Sequence, residues 1–490
     1  MLNYADEIQK IFRIRKVKWH SLHNLGTMTG YGTYTIKSSR ESNDEVERAP
    51  KRIKRVLKQG QGVLDEVDLK KLDIDRERVC SITLSPLNVY ACLKCGKFLQ
   101  GRKENSVAFQ HSIQEDHHAF MNLHTGKAYI LPENYQLGDN PLLERIRLFI
   151  APSYTPQQIS ELPVQCFDIF NNAYWTGLVR LNDNNNSSHI TVALQLIARI
   201  PPIRDFLLLT ASDKFEDELL NRLSLLIKRI WSSHLLKCHL SPHEILHHLS
   251  LTNSSLLTPK NTPEPKDIFL WIINRLFGAA PAMKKLLSKE MRGELFSLTQ
   301  EVPRHDNQQE DTKSLENSHT TRRKIKFWTL TLDLPPMPLF KDGFDTNSIP
   351  QVRLEDLLTK FNGVEKAQTK QGTIALSLSK LPRLLILHIN RFNRAVECPI
   401  KNRNQTIVKL PSILKVKGSK FKLIAIISHK GVRGTYSDET ELDQESQWSI
   451  IVYEKSLEEW FEVNDKSITI KEKELLFLEE SCIQVWEAME

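Results

Sequence analysis

Residues 381–392 read Leu-Pro-Arg-Leu-Leu-Ile-Leu-His-Ile-Asn-Arg-Phe, and this stretch decides the fold of the second half of the chain. Residues 384–389 form an apolar run that only His388 interrupts. A short run without polar alternation is typical of a strand that other elements cover on both sides. The sequence therefore predicts a strand over 384–389 that is buried on both faces.

The segments around this strand change from helical to strand patterns along the chain. Apolar residues at helical spacing predict helices over 191–198, 213–233, 242–249 and 265–277. Apolar runs and alternation predict further strands over 327–334, 421–427 and 448–453. Two polar inserts, 301–324 and 431–447, are expected to be mobile. Residues 165–490 are thus predicted to form one large domain of mixed helix and sheet.

The 490 residues predict two or three domains. We expect a largely disordered basic arm over 1–65, a small metal-stapled module over 66–160 that includes a helix at 141–152, and the large domain. Seven scattered cysteines and no apolar leader indicate a reducing compartment. No stretch approaches the ~20 apolar residues that a membrane helix needs, so no membrane contact is expected.

The positive charge of the chain is concentrated in the arm. Residues 1–60 contain 13 Lys and Arg against 6 Asp and Glu, whereas the net charge of the whole chain is +8. The densest cluster is Lys51, Arg52, Lys54 and Arg55. Such a cluster is typical of a nuclear localisation signal or of a surface that contacts RNA, and a solvated tail is the third interpretation.

Cysteine and histidine residues in the small module have the spacing of a zinc site. Cys92 and Cys95 form a Cys-x2-Cys knuckle, and His111 and His117 follow within the next 22 residues. Two thiolates and two imidazoles complete a tetrahedral site with no open position, so we expect one structural Zn²⁺. A helix over 106–114 would supply His111. A step of six residues turns a helix by about 240°, so His117 must lie beyond its end.

Two alternatives remain for this site at the level of sequence. His118 and His124 compete with His117 as the fourth ligand. A surface cysteine pair with unrelated histidines would bind no metal at all.

Residues 78–137 resemble the UBP-type zinc finger, through Cys92-Leu-Lys-Cys95-Gly, Gly101-Arg102 and the histidine pair. The resemblance implies ligand roles for Cys92, Cys95, His111 and His117. It also implies that Arg102 contacts a ubiquitin tail or another partner, since a guanidinium suits a carboxylate. Family members often bind further zinc, but here Cys80 lacks a Cys-x2-Cys partner and Gln100 replaces a thiolate. We therefore expect a protein-docking role and leave ubiquitin binding open.

Four segments in the expected order resemble the ubiquitin-specific proteases: 177–195, 381–392, 421–429 and 460–465. The resemblance implies an α+β chain in which the small zinc-stapled α/β finger precedes a papain-like fold with a helical thumb and a β-rich palm and fingers. Active relatives commonly hold their fingers with a zinc ribbon of two Cys-x2-Cys pairs. Cys238 and Cys398 stand alone here, so packing must hold the fingers instead.

The same alignment implies that the reacting groups are missing. Ser188 falls where the family has its nucleophilic cysteine, Gln447 where it has the histidine, and Asn464 on the third triad position. A serine hydroxyl needs a general base, and a glutamine amide cannot accept the proton. His189 could be considered as a base for Ser188, but adjacent side chains seldom point at each other. The prediction is a pseudo-deubiquitinase rather than an enzyme.

A zinc finger of this type ahead of a protease domain without Cys and His resembles an inactive branch of the family that serves pre-mRNA splicing. Membership in that branch would imply a nuclear protein that helps to assemble or stabilise the spliceosomal tri-snRNP. Its partners would be tri-snRNP proteins, including the snRNP helicase, with RNA contact through the basic arm. Two alternatives stay open: a receptor that captures free ubiquitin tails, and a working ubiquitin thiolesterase with displaced catalytic residues.

Overall fold

The computed structural model describes residues 62–75, 77–182, 187–211, 215–256, 264–301, 320–336, 350–369, 372–392, 403–430 and 447–489. The basic arm, including Lys51, Arg52, Lys54 and Arg55, lies outside these ranges, as do most residues of the two polar inserts. Among the helices of the described ranges, none has the length and apolar content that crossing a membrane requires.

The first module is a five-stranded antiparallel sheet in the order β2-β1-β3-β4-β5. Its strands are β1 (Val89–Cys92), β2 (Phe98–Gln100), β3 (Ala119–Asn122), β4 (Ala128–Ile130) and β5 (Tyr135–Gln136). Helix α1 (Val107–Gln114) connects β2 to β3. Along β1 alternate side chains enter two small cores, because Tyr90 and Cys92 face one and Val89 and Ala91 face the other.

Helices dominate the part of the chain that follows the first module. They are α2 (Pro141–Ile150), α3 (Pro156–Ser160), α4 (Ser188–Arg199), α5 (Pro201–Leu209), α6 (Glu218–Ile230), α7 (His243–Thr252), α8 (Pro265–Ala279) and α9 (Pro281–Glu290). The helices predicted at 141–152, 191–198, 242–249 and 265–277 are confirmed within a few residues. The helix predicted over 213–233 is shorter, because Asp217 caps it by accepting a hydrogen bond from the Leu219 amide.

Sequence analysis did not predict helices α5 and α9. Each begins at a proline, Pro201 or Pro281, directly after another helix has ended. Proline is favoured at the first helical position because its ring presets φ and the missing N–H has no partner there. These two prolines therefore mark helix starts rather than loops.

The large sheet has the order β12-β16-β23-β19-β20-β21-β22, with β18 paired to β19. Its strands are β12 (Leu330–Asp333), β16 (Leu384–Asn390), β18 (Leu414–Val416), β19 (Ser419–Lys430), β20 (Gln447–Glu454), β21 (Glu459–Val463), β22 (Ile468–Lys471) and β23 (Ser481–Ala488). Within β16, Leu384 and Ile386 pack into the helical core, whereas Leu385, Leu387 and Ile389 pack into a second core. The prediction of a strand buried on both faces is confirmed.

A second sheet of four antiparallel strands has the order β11-β10-β15-β14. Its strands are β10 (Gly293–Glu301), β11 (Thr320–Phe327), β14 (Asn362–Thr369) and β15 (Gly372–Lys380). Leu295, Phe327 and Leu378 anchor this sheet in the second core, and they supply hydrophobic packing to the fingers. Short elements complete the fold: β6 (Gln165–Phe167), β7 (Ala173–Trp175), β8 (Arg180–Leu181), β9 (His239–Leu240), β13 (Gln351–Arg353), β17 (Ile407–Lys409) and helix α10 (Leu354–Leu358).

Two predictions about this region are wrong. The strand predicted over 327–334 is two strands in different sheets, because Phe327 ends β11 and Leu330 begins β12 after a bend at Trp328. The insert predicted over 301–324 is narrower, since residues 320–324 pair with β10 as part of β11. Sequence analysis missed β11 because its consecutive residues 322–326 are all exposed, so polar side chains occupy both faces and no apolar alternation is visible.

An acidic segment before the first sheet fastens the module to the helical region. Leu72 and Ile74 enter the core of the module, while the alternate residues Asp73, Asp75 and Glu77 face the other way. We call these three acids the clamp residues. Their partners lie on the helical side at 3.1 Å (Asp73 Oδ2 to Lys237 Nζ), 3.9 Å (Asp75 Oδ1 to Arg229 Nη1) and 3.1 Å (Glu77 Oε1 to His243 Nε2).

Further contacts strengthen this junction. Leu236 from the helical region is buried in the core of the module. Arg229 and Arg78 both donate to the carbonyl oxygen of Ile150, at 3.1 Å and 3.5 Å. Hydrophobic burial and these charge contacts together hold the zinc module against the larger domain.

Protonation of Asp75 is expected to stabilise this junction. Burial raises the pKa of Asp75 to about 6 from its ordinary value of 3.8, although Arg229 opposes the shift. The folded chain therefore holds the proton more tightly than the unfolded chain, and this stabilisation is lost as the pH rises from about 4 through about 6. Asp75→Asn should remove the contribution of this group to the pH dependence of the free energy of unfolding. That contribution amounts to about 3 kcal/mol at most.

Urea denaturation of wild type and Asp75→Asn between about pH 5 and about pH 7.5 measures this effect, because other groups cancel in the difference. The free energy of unfolding of the variant should gain on that of wild type as the pH rises. The exposed Asp65→Asn is the matched control and should show no such trend. A parallel pH course for Asp75→Asn and wild type would contradict the assignment.

Candidate functional site

The zinc knuckle is built at the end of β1. Cys92 is the last residue of the strand, and a turn closed by a hydrogen bond from the Gly96 amide to the Cys92 carbonyl brings Cys95 back beside it. Gly96 has a φ of +76°, and a Cβ there would lie 2.0 Å from the Lys71 carbonyl oxygen. Glycine is therefore required at this position.

The two histidines arrive from the helix that follows. His111 lies in the last turn of α1, which ends at Gln114. Asp116 then adopts a φ of +55°, and this left-handed residue turns the chain so that His117 points back to the knuckle. The prediction that His117 lies beyond the end of the helix that contains His111 is therefore confirmed.

The four ligand atoms of Cys92, Cys95, His111 and His117 all lie within 4.8 Å of one another. Cys92 Sγ is 3.6 Å from His117 Nδ1, Cys95 Sγ is 3.4 Å from His111 Nε2, and the two imidazole nitrogens are 3.0 Å apart. A tetrahedron with Zn–S bonds of ~2.3 Å and Zn–N bonds of ~2.0 Å has edges of ~3.3–3.8 Å. The donor set and its dimensions therefore fit one zinc ion.

The electrostatics of the knuckle favour a thiolate. The hydrogen bond between the two thiols lowers the pKa of Cys95 and raises the pKa of Cys92, so Cys95 is the thiol that ionises first. A thiolate is the form of cysteine that binds a metal. The surroundings of Cys95 therefore prepare it to bind zinc near neutral pH.

The competing histidines have other partners. Both ring nitrogens of His118 are engaged, Nδ1 at 2.8 Å from the Leu131 carbonyl and Nε2 at 2.9 Å from Asp116 Oδ1. His124 Nε2 lies 3.4 Å from the carbonyl oxygen of Pro86. The structure therefore brings His117, and neither of these two, to the cluster.

The neighbourhood of Cys80 is a hydrogen-bonded cluster of hydroxyl and amide groups. The Thr83 amide donates to Cys80 Sγ at 3.4 Å. Gln100 accepts from the Thr83 hydroxyl at 2.8 Å and donates to the Ser85 hydroxyl at 3.1 Å. Hydrogen bonds can therefore hold this end of the module in the way that an additional metal would.

Arg102 lies on the other side of β2 and is engaged within the module. Its guanidinium lies 4.3 Å from the ring centroid of Tyr129 and donates a hydrogen bond to Asn134 Oδ1. The hydrogen bond to Asn134 uses only Nη1, and the guanidinium has further N–H donors for an incoming carboxylate.

Ser188 lies at the junction of the helical region and the large sheet. It is the first residue of α4, it is 2% exposed, and its hydroxyl accepts a hydrogen bond from the Trp448 amide at 3.2 Å. Gln447 precedes Trp448 and starts β20, where its backbone pairs with Lys430. Ser188 therefore contacts the residue that follows Gln447 in β20.

Two histidines lie near this junction. His189 Nε2 is 3.2 Å from the carbonyl oxygen of Leu256, so this nitrogen serves a structural hydrogen bond. The His429 ring packs 4.9 Å from the ring of Trp448, and burial, followed by the charges of Arg403 and Arg391, lowers its pKa to about 3. An imidazole with so low a pKa is a weak proton acceptor at neutral pH.

Asn464 and Asp465 follow the end of β21. Asn464 Oδ1 accepts hydrogen bonds from the amides of Lys466 and Ser467 at 2.8 Å and 2.7 Å, so its side chain closes its own turn. Asp465 Oδ1 lies 3.1 Å from the Thr191 hydroxyl on α4. The alignment pointed to Asn464 and missed the contact of its neighbour Asp465 with α4. The polar pair of Asn464 and Asp465 directly after a strand was the available signal.

The helical region, the β-rich palm and fingers and the preceding zinc module define a class of protein, the zinc-finger-bearing ubiquitin hydrolase fold. The chain belongs to the ubiquitin carboxyl-terminal hydrolase family, whose profile matches residues 179–486. Residues 79–142 match the Zn-finger in ubiquitin-hydrolases and other protein.

Particular relatives extend this assignment over nearly the whole chain. The chain is similar to the pre-mRNA-splicing factor SAD1 of Saccharomyces cerevisiae, with 37% identity over 92% of this chain and 98% of that protein. It is 32% identical to ubiquitin carboxyl-terminal hydrolase 39 of Homo sapiens over 86% of this chain and 79% of that protein. A crystal structure of an essential yeast splicing factor matches with a TM-score of 0.75 and 36% identity, and it covers 88% of this chain and all of that chain.

Substitution of a cluster ligand should release the metal and unfold the zinc module. Cys95→Ser and His117→Ala should each lose bound zinc, because a structural ion contributes about 10–16 kcal/mol of binding free energy to a small module. His118→Ala and His124→Ala are matched controls, since neither ring contacts the cluster. Elemental analysis of the purified proteins gives the zinc content, and unchanged zinc in His117→Ala would contradict the site.

Ser188→Ala should destabilise the chain, because it removes the acceptor of the buried Trp448 amide. An unsatisfied buried donor costs about 1–3 kcal/mol. Ser188→Thr keeps the hydroxyl and adds only a methyl group. It therefore shows how much a change of volume at this position costs when the hydrogen bond to the Trp448 amide is kept. Chemical denaturation measures both variants, and an unchanged free energy of unfolding in Ser188→Ala would contradict a structural role for the hydroxyl.

Proposed function

We propose that this chain is a non-catalytic pre-mRNA splicing factor that promotes assembly or stability of the spliceosomal tri-snRNP through protein–protein contacts. Two observations support the proposal: the similarity to a named splicing factor over 92% of the chain, and the alignment that puts Ser188 and Gln447 where ubiquitin-specific proteases have cysteine and histidine. It would act in the nucleus.

The buried hydrogen bond between Ser188 and Trp448 is the observation that carries the non-catalytic part. Ser188 occupies the nucleophile position, but its hydroxyl is used as an acceptor in a packed junction. Gln447 has no titratable nitrogen, and the Asn464 side chain is bound within its own turn. A hydroxyl needs a nearby general base to attack a carbonyl, and these residues supply none. The fold therefore serves as a binding scaffold.

The zinc module serves the same purpose. One structural Zn²⁺ held by Cys92, Cys95, His111 and His117 would fix the sheet and α1 in a single conformation. The clamp residues and Leu236 then hold this module against the larger domain. A partner could contact both parts at once with little loss of conformational entropy on binding.

The proposed organisation keeps three parts: the arm over 1–65, the zinc module over 66–160 and the pseudo-deubiquitinase domain over 165–490. The basic cluster of Lys51, Arg52, Lys54 and Arg55 would direct nuclear import and could contact RNA phosphates. The expected partners are tri-snRNP proteins, including the snRNP helicase. Arg102 would contribute to a protein contact through the guanidinium N–H groups that Asn134 does not use.

Purification of the tagged chain from nuclei should recover spliceosomal small RNAs and tri-snRNP proteins. Cys95→Ser should lose most of this association, because the zinc module would unfold and one side of the docking surface would disappear. His124→Ala removes an imidazole outside the cluster and should retain it. Sequencing of the recovered RNA and mass spectrometry of the recovered proteins provide the measurement. Wild-type material without spliceosomal RNAs would contradict the proposed function.

A further inference from the structure

The open side of the four-stranded sheet presents a group of cations. In an antiparallel pair, residues that lie directly opposite each other point to the same face. The register places Arg322, Lys324 and Lys326 of β11 opposite Leu298, Phe296 and Glu294 of β10, and Lys380 of β15 also lies opposite Glu294. Lys366 of β14 joins this face through Ala375. We call Arg322, Lys324, Lys326, Lys366 and Lys380 the basic face.

The carboxylate of Glu294 shows that these cations lie close together. Lys324 Nζ is 2.6 Å from Glu294 Oε2. This hydrogen bond lowers the pKa of Glu294, and the charges of Lys326 and Lys380 lower it further. Three lysines thus lie close enough to Glu294 to lower the pKa of its carboxyl group.

Protection of an exposed sheet edge does not account for the arrangement. Lysine on an edge strand commonly prevents pairing with other chains, and β11 is an edge strand. However, Lys380 stands on β15, which has neighbours on both sides. The Arg322 guanidinium also leans inward, 3.7 Å from the ring centroid of Phe296 on β10. The cations cover the face as well as the edge.

Aromatic rings continue the basic face at the end of β11. Trp328 follows two residues after Lys326, and its ring lies 5.3 Å from that of Phe277 on α8. The Arg292 guanidinium lies 5.2 Å from Trp328 and 4.8 Å from Phe277. Both rings are only partly buried. Cations that follow a strand and partly exposed rings at its end are the two parts of a surface for single-stranded nucleic acid.

We propose that the basic face and Trp328 bind single-stranded RNA. Successive cations on one face of β11 are about 6.8 Å apart, so they can follow a phosphate backbone. Trp328 and Phe277 offer rings on which unpaired bases can stack. The choice of RNA rests on the proposed splicing function, and the surface contributes contacts that are independent of the basic arm.

Fluorescence anisotropy with a labelled oligouridine of about twelve nucleotides tests this surface on the full-length chain over a range of salt concentrations. The triple variant R322E/K324E/K326E should bind at least about tenfold more weakly. Its slope of log affinity against log salt should fall by about 2, since each lost phosphate contact removes about 0.7. K409E/K415E/K420E is the matched control, because it changes three exposed lysines elsewhere by the same charge.

Substitution of Trp328 separates stacking from charge. Trp328→Ala should weaken binding about fivefold or more, and Trp328→Phe should recover part of the loss. Equal weakening in the two charge-reversal triples would overturn the proposal, because only overall charge would then matter. It would also be overturned if Trp328→Ala had no effect and polyglutamate displaced the RNA, since the face would then bind acidic proteins. These measurements use the purified chain, so association with spliceosomal particles in nuclei remains a separate test of the proposed function.

Discussion

Burial of strand β16 on both faces is the constraint on which the rest of the fold depends. Leu384 and Ile386 face the helical core, and Leu385, Leu387 and Ile389 face the second core. A strand with two apolar faces is stable only between two layers, so the helices must pack on one side and the remaining sheet elements on the other. Helix α4 packs within the first layer against β20, where the Ser188 hydroxyl accepts a hydrogen bond from the Trp448 amide.

Hydrogen bonds hold α4 against β20 and against the turn after β21. The Ser188 hydroxyl accepts from the Trp448 amide, and the Thr191 hydroxyl on the same helix donates to Asp465. Both hydrogen bonds link the helix to the sheet and contribute to the stability of the junction. Under the proposed function, these hydrogen bonds stabilise a fold that binds partner proteins without hydrolysing them.

Sequence patterns predicted the features that are formed by residues close together in the chain. The Cys-x2-Cys knuckle and the six-residue step to His117 predicted the cluster, because its ligands are close in sequence. Two kinds of feature were missed. Helices α5 and α9 begin at prolines, which resemble loop signals, and β11 is polar because its residues 322–326 are exposed on both faces. The clamp residues pair with Lys237, Arg229 and His243, partners more than 150 residues away, and only the alternation of Asp73, Asp75 and Glu77 hinted at them.

We propose that this hydrolase fold binds partner proteins and does not cleave ubiquitin conjugates. The most direct measurement is hydrolysis of a ubiquitin isopeptide conjugate by the full-length, zinc-loaded chain at high enzyme concentration, with an active ubiquitin-specific protease run alongside. We expect no hydrolysis above the rate in buffer, because loss of the serine or the histidine of a catalytic triad alone costs about 10⁶-fold in a well-studied serine protease. Turnover above buffer that disappears in Ser188→Ala would contradict it.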